Sequence, residues 1–236
     1  MARVERRNPL GVYRAMNPER IAVWRNLVKP ANWSYLCDVD IAPLAAWLAE
    51  GDKAWPAPST PCKPQRVREI PAELLEPIYS SVLTFFRQKL ECDVCGNWPN
   101  EDGEIEHGKG CYTQSADGGG SSFVANYIAI DPMLSRMLPG QSHDFHVDIQ
   151  RADWITRVHV PIVTNPGCWM AWENAEKKAY WLEHYDTLPN VRDIAEVVHF
   201  EAGRAYSFNT LERHAFGNDG ETERVHLIFE VLRRDA

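Results

Sequence analysis

No apolar run in this sequence approaches the ~20 residues that a helix needs to cross a bilayer, so a membrane span is not expected. Positive charge is also in short supply. Lysine and arginine total 25 against 33 aspartates and glutamates, a formal net charge of −8 over 236 residues. A protein that holds a nucleic-acid backbone usually carries a basic footprint. Its absence argues against nucleic acid as a partner and leaves only a local basic groove open. Cysteine is sparse, six in all, and the arginines near the start (Arg3, Arg6, Arg7, Arg14) are followed by no apolar stretch. A secretory signal is therefore not expected, and the thiols fit a reducing cytoplasm better than a disulfide scaffold. No internal repeat is visible. Gly118-Gly119-Gly120 lacks the Lys and Ser/Thr of a phosphate-binding loop and reads as a turn.

What is there suits one large domain, or a core with a substantial extension. The chain is 44% hydrophobic and 25% charged, which allows a sizeable core. Its first third reads as helical and irregular. Asn17-Pro18 opens a helix carrying Ile21, Trp24 and Val28; Asp40 caps a second with Leu44, Trp47 and Leu48, stopping near Gly51. Four prolines between Pro56 and Pro64 make a rigid connection. From Pro77 to Leu90, the residues Ile78, Val82, Phe85 and Leu90 form one apolar face, which predicts a helix packed on the main sheet. Next come Cys92-x-x-Cys95 and, in a polar loop, His107 and Cys111. These four offer the ligands of a structural zinc; the competing reading is a polar loop with incidental thiols.

After Gly120 the pattern changes to short alternating stretches. Strands are predicted at Phe123–Ile130, His143–Gln150, Arg157–Thr164, Trp169–Glu173, Ala179–His184, Val197–Glu201, Arg204–Phe208 and Arg224–Leu232. Turn signals separate several of them, notably Asn165-Pro166-Gly167, Ala202-Gly203 and Asn218-Asp219-Gly220. Many short strands with few helices predict a mainly β core, a sandwich or jelly roll. The chain divides accordingly into an extension, 1–120, and a core, 121–236.

The chemistry gathers in that core. His146 and Asp148 sit two apart on a strand, so their side chains share a face. His214, from a distant strand, would complete two nitrogens and one oxygen around a metal, the 2-His-1-carboxylate set of non-haem iron(II) oxygenases. Alone, a His-x-Asp pair is a short pattern that chance supplies. Its surroundings carry more weight.

Those surroundings are Ser135-x-Met137-x-Pro139-Gly140, then His146, then Arg157-Val158-His159, then Phe208, His214 and Arg224. In this order and spacing, about Phe123 to Leu232 resembles the aspartyl/asparaginyl β-hydroxylase family. The resemblance implies a double-stranded β-helix of cupin-like type, with the N-terminal segment packed on it. It also implies an Fe(II)- and 2-oxoglutarate-dependent dioxygenase that consumes O2 and hydroxylates an amino-acid side chain, free or within a peptide or protein. It matches His146 and His214 to metal-binding histidines, Arg224 and Ser135 to the residues that hold the distal carboxylate of 2-oxoglutarate, and Arg157 and His159 to residues near its chelating end. Met137 belongs to the same motif. Asn209 either orients the cosubstrate or closes a turn. Asp148 departs from the vertebrate member, which has glycine there, and restores a full triad.

Each match has a plainer rival: Arg224 as a strand-end arginine facing water, Arg157 and His159 as a cross-strand polar pair. His143 reads as a mouth residue or a neighbour of the ligands; His184, His199 and His226 read as structural or surface groups. Two other functions compete: a non-catalytic jelly roll that holds a metal or a small acid, and an oxygenase of this class acting on another small molecule or a nucleic acid.

Overall fold

The computed structural model describes residues 32–50, 55–56, 64–90, 126–148, 154–185, 187 and 189–234. The predicted helix at Asn17-Pro18, most of the proline-rich connection, the Cys92/Cys95/His107/Cys111 quartet and the triple glycine lie outside the described residues.

The architecture is mainly antiparallel β, a jelly roll of two sheets. Among the described residues ten strands run in chain order: β1 Trp33–Asp38, β2 Gln65–Val67, β3 Asn126–Met137, β4 Gln141–His146, β5 Trp154–Val163, β6 Cys168–Glu173, β7 Ala195–Val198, β8 Arg204–Phe208, β9 His214–Asn218 and β10 Arg224–Arg234. The larger sheet has the order β1-β8-β5-β10-β3-β2 and the smaller β4-β9-β6-β7. Helices α1 (Ala42–Ala49) and α2 (Ala72–Leu90) pack on the larger sheet, and α3 (Ala175–His184) follows β6. No helix among the described residues is long and apolar enough to cross a membrane.

Strand alternation builds two cores. On β10 the odd positions Val225, Leu227, Phe229 and Val231 join Val158, Val160, Ile162 and Leu134 beneath Leu75, Ile78, Val82 and Phe86 of α2. Each such side chain, once buried, stabilises by ~1.5–3 kcal/mol. The even positions Arg224, His226 and Glu230 are buried on the opposite face, between the sheets. There Met137, Tyr206 and Phe208 of the larger sheet meet Met170, Trp172 and Phe216 of the smaller.

Four expectations need correction. The predicted strand at Ala179–His184 is the second half of α3, whose start is capped by the Asn174 side chain accepting from the Lys177 amide at 3.0 Å. None of its residues is buried, so the segment had no sheet to join. The helix predicted at Pro77–Leu90 begins earlier, at Ala72, and runs through Pro77; Phe86 rather than Phe85 is its fully buried phenylalanine. The N-terminal third is not helical throughout, because β1 and β2 form the two edges of the larger sheet. The strand expected to end at Ile130 continues to Met137 across Pro132. It does so through a bulge in which Asp131 and Pro132 stand against the single Phe229, a position where a missing amide costs no ladder bond.

Candidate metal centre and its cavity

Strands β4 and β9 pair with His146 directly opposite His214. Their rings lie 4.3 Å apart between centroids, and Asp148 follows just beyond β4, its amide donating to the Thr210 carbonyl at 3.0 Å. One ligand atom from each of His146, Asp148 and His214 falls within 4.8 Å of the others. Each imidazole is oriented the same way. Nδ1 of His146 lies 2.8 Å from the Asp144 carbonyl and Nδ1 of His214 lies 2.8 Å from the Glu212 carbonyl. A carbonyl only accepts, so each Nδ1 carries the proton and each Nε2 presents a lone pair. Both Nε2 atoms face the Asp148 carboxylate at 3.7 Å. Burial pushes His214 down to about 4, the first of several influences on it, and keeps it in the neutral form a metal needs.

Asp148 is held from the other side by Arg157, whose NH1 donates to Oδ2. Arg157 in turn places Nε and NH2 2.8 Å from Oε1 of the buried Glu230. These groups line a cavity of about 170 Å³ together with Arg66, Arg68, Asp131, Ser135, His159 and Phe216. His159 is buried, and among the described residues neither of its ring nitrogens has a hydrogen-bond partner. Burial, with the nearby Arg157 and Arg224 charges, pushes its pKa well below the usual value.

Arg224 is not one of the cavity-lining residues. It is 2% exposed and lies over the Phe216 ring at 5.2 Å. Its NH1 donates to the Met137 thioether at 3.6 Å and its NH2 to that of Met170 at 3.2 Å, with Nδ1 of His226 3.0 Å from NH2. No carboxylate among the described residues reaches it, its Nε has no partner, and burial pulls it down to about 10. The rival reading of a water-facing strand-end arginine is thus overturned. A guanidinium buried beside sulfur and imidazole lacks the anion that normally accompanies one.

The remaining expected residues are placed as follows. Met137 contacts Arg224 from the sheet interior. Asn209 closes the turn after β8, its Oδ1 accepting from the Leu211 amide at 3.0 Å. His143 stacks on His146 at 4.3 Å. His226, read as a structural or surface group, is buried beside Arg224 with Nε2 unpartnered. Glu230, Arg66, Arg68, Asp131 and Phe216 had not been singled out. The signal for Glu230 was present in β10, where polar side chains at Arg224, His226 and Glu230 alternate with Val225, Leu227 and Phe229.

No protein-family model matches the chain, and no curated protein sequence matches it. Among solved structures it is similar to a prolyl-4-hydroxylase from Pseudomonas putida, with TM-score 0.50, 14% identity, 92% of this chain and 100% of that one covered. It is also similar to EvdMO1, with TM-score 0.51, 11% identity and coverage of 92% and 50%. An oxidoreductase of the 2OG-Fe(II) oxygenase family from Burkholderia pseudomallei aligns at TM-score 0.49, 13% identity and coverage of 92% and 91%. At these identities the likeness is one of fold. The fold is what this chain shares with the first two.

Proposed function

We propose that this protein is an Fe(II)- and 2-oxoglutarate-dependent dioxygenase of the aspartyl/asparaginyl β-hydroxylase type, hydroxylating a C–H bond of an amino-acid side chain. The observation that carries this reading is the His146, Asp148 and His214 cluster on paired strands of a jelly roll, with both Nε2 lone pairs aimed at one carboxylate. Two imidazoles and a carboxylate suit ferrous iron and leave its other positions for cosubstrate and oxygen. When bound, iron with 2-oxoglutarate supplies the oxygen activation and the oxidising chemistry.

The protein's part is orientation. Backbone carbonyls of Asp144 and Glu212 fix the tautomers of His146 and His214, and Arg157 fixes the rotation of Asp148. In this reading Ser135 and Arg224 hold the far carboxylate of 2-oxoglutarate, Met137 packs against Arg224, and Arg157 and His159 flank the near end. Phe208 and Phe216 keep water from the cavity wall. The setting proposed is a reducing cytoplasm; the two described cysteines, Cys37 and Cys168, are both free thiols.

Adding Fe(II) and then 2-oxoglutarate without oxygen tests the reading. A weak visible charge-transfer band, lost in Arg224→Ala, is expected. A second reading is a metal-binding jelly roll without turnover, and the separation of Arg224 from the cavity favours it. Bound metal with no band would select that alternative.

A further inference from the structure

Most charges around the cavity satisfy one another. Asp148, Arg157 and Glu230 form a continuous chain of ion pairs. Three lining groups stand outside it. Arg66, Arg68 and Asp131 are exposed, and among the described residues their side chains make no hydrogen bond or ion pair.

Their positions follow from the sheet. Arg66 on β2 pairs with Ser135 on β3, which pairs with His226 on β10, so these three residues form one row across the larger sheet. Arg68 follows two residues later, on the same side by alternation. Asp131 sits in the β3 bulge with φ 51°, a left-handed conformation that few residues other than glycine adopt and that Asp tolerates. A bulge beside a cavity re-aims a side chain, and this one brings Asp131 to the cavity wall. The cavity therefore has two unpaired guanidinium groups and one unpaired carboxylate at its open side. Arg224 lies over Phe216 and does not line the cavity, so the two cationic positions are separate.

Resting on the oxygenase reading above, we propose that Arg66, Arg68 and Asp131 are the substrate-recognition groups of this cavity. The arginines take an anionic group and Asp131 takes an ammonium. The substrate class is then a small zwitterion of net negative charge, an amine bearing two acid groups, either two carboxylates or a carboxylate and a phosphate. A guanidinium fork matches both acids, often through two parallel hydrogen bonds. A cation would meet two like charges. A neutral molecule would leave all three groups without partners. In a chain of net charge −8, a basic rim at one cavity also draws anions to that point.

The test uses the full chain with Fe(II) and 2-oxoglutarate under anaerobic conditions. L-Aspartate, O-phospho-L-serine and, as a cation without an acid group, L-lysine amide are titrated while the charge-transfer band is followed. Saturable perturbation by aspartate or phosphoserine, and none by lysine amide, is expected; the tighter of the two distinguishes carboxylate from phosphate. In Arg66→Ala/Arg68→Ala the response should weaken by about tenfold or more, the size of a lost charge-assisted contact, while 2-oxoglutarate affinity stays within about twofold. Asp131→Asn should weaken the amine-bearing acids and leave the band itself intact. Circular dichroism checks that each variant is folded, and the single variants Arg66→Gln and Arg68→Gln replace the double if it is not.

If no band forms in the wild type, the oxygenase reading fails and takes this proposal with it. If the band forms but neither acid perturbs it, or lysine amide binds equally well, the proposal fails and the oxygenase reading stands. Loss of 2-oxoglutarate affinity in the arginine variants would assign them to the cosubstrate and also overturn it.

Discussion

Arg157 joins Asp148 to Glu230, tying the loop after β4 to the inner face of β10. A carboxylate beside two imidazoles is thereby held by a guanidinium whose other edge is neutralised by a buried acid. The side chains of Arg157 and Glu230 are 17% and 6% exposed, so this is largely an interior ion pair. Such a pair adds little over apolar packing, but removing one partner strands the other. Arg157→Ala should therefore lower unfolding stability by about 3 kcal/mol, read from the midpoint of urea denaturation. An unchanged midpoint would mean that water already compensates Glu230.

The triad separates two kinds of site. His214→Ala should abolish metal binding, followed by calorimetric titration with Mn(II), while the far-ultraviolet circular dichroism of the fold persists. Asp148→Gly is the discriminating change. Weakened but measurable metal binding and turnover would mean that two histidines suffice here; complete loss would mean that the carboxylate is required.

Arg224 carries a charge that no carboxylate among the described residues balances. In Arg224→Ala, half-saturation by 2-oxoglutarate should rise about tenfold to a hundredfold, since a hydrogen bond to a charged group is worth ~1.5–3 kcal/mol. A titration identical to wild type would show that the cosubstrate is held elsewhere.

Acid should weaken the metal-free fold in a defined window. Burial pushes His159 and His226 well below the ordinary 6.5, and His214 to about 4. The unfolded chain then takes up these protons first. Their contribution is complete above about pH 6.5 and is lost as pH falls from there toward 4. Thermal midpoints should decline across that range. In His226→Gln the decline should be shallower; an equal slope would remove His226 from the account.

Gly217 leaves no room for a side chain, since a Cβ there would come within 2.5 Å of the Trp169 ring. Gly217→Ala should destabilise by ~1–3 kcal/mol through overpacking. A thermal midpoint unchanged from wild type would show that Trp169 can move aside at little cost.

Much of the β core was legible because alternation is local. Arg204–Phe208 coincides with β8, and the predicted segments at Arg157, Trp169 and Arg224 overlap β5, β6 and β10; in β10 polar and apolar residues trade places every second position. The edge strands β1 and β2 escaped notice. β2 has three residues, too short for a periodic signal, and the pairing partners of the two, β8 and β3, lie far along the chain. β9 was given no predicted range, although its first residue, His214, was placed on a strand. A strand was expected at Ala179–His184, but the Asn174 cap and the lack of any sheet partner decided for the helix α3.

By itself the sequence determined which residue types were at hand: two imidazoles and a carboxylate at strand spacing, and an arginine ten residues beyond the second histidine. Only the tertiary structure decided how they were used. Strand pairing set His146 against His214 and put Arg157 between Asp148 and Glu230. It buried Arg224 behind Phe216 and left Arg66, Arg68 and Asp131 as the unpaired charges of the cavity. The physical reason is that a side chain's charge and donors are properties of its own residue. Whether they are matched or left open depends on neighbours that only long-range pairing brings within reach.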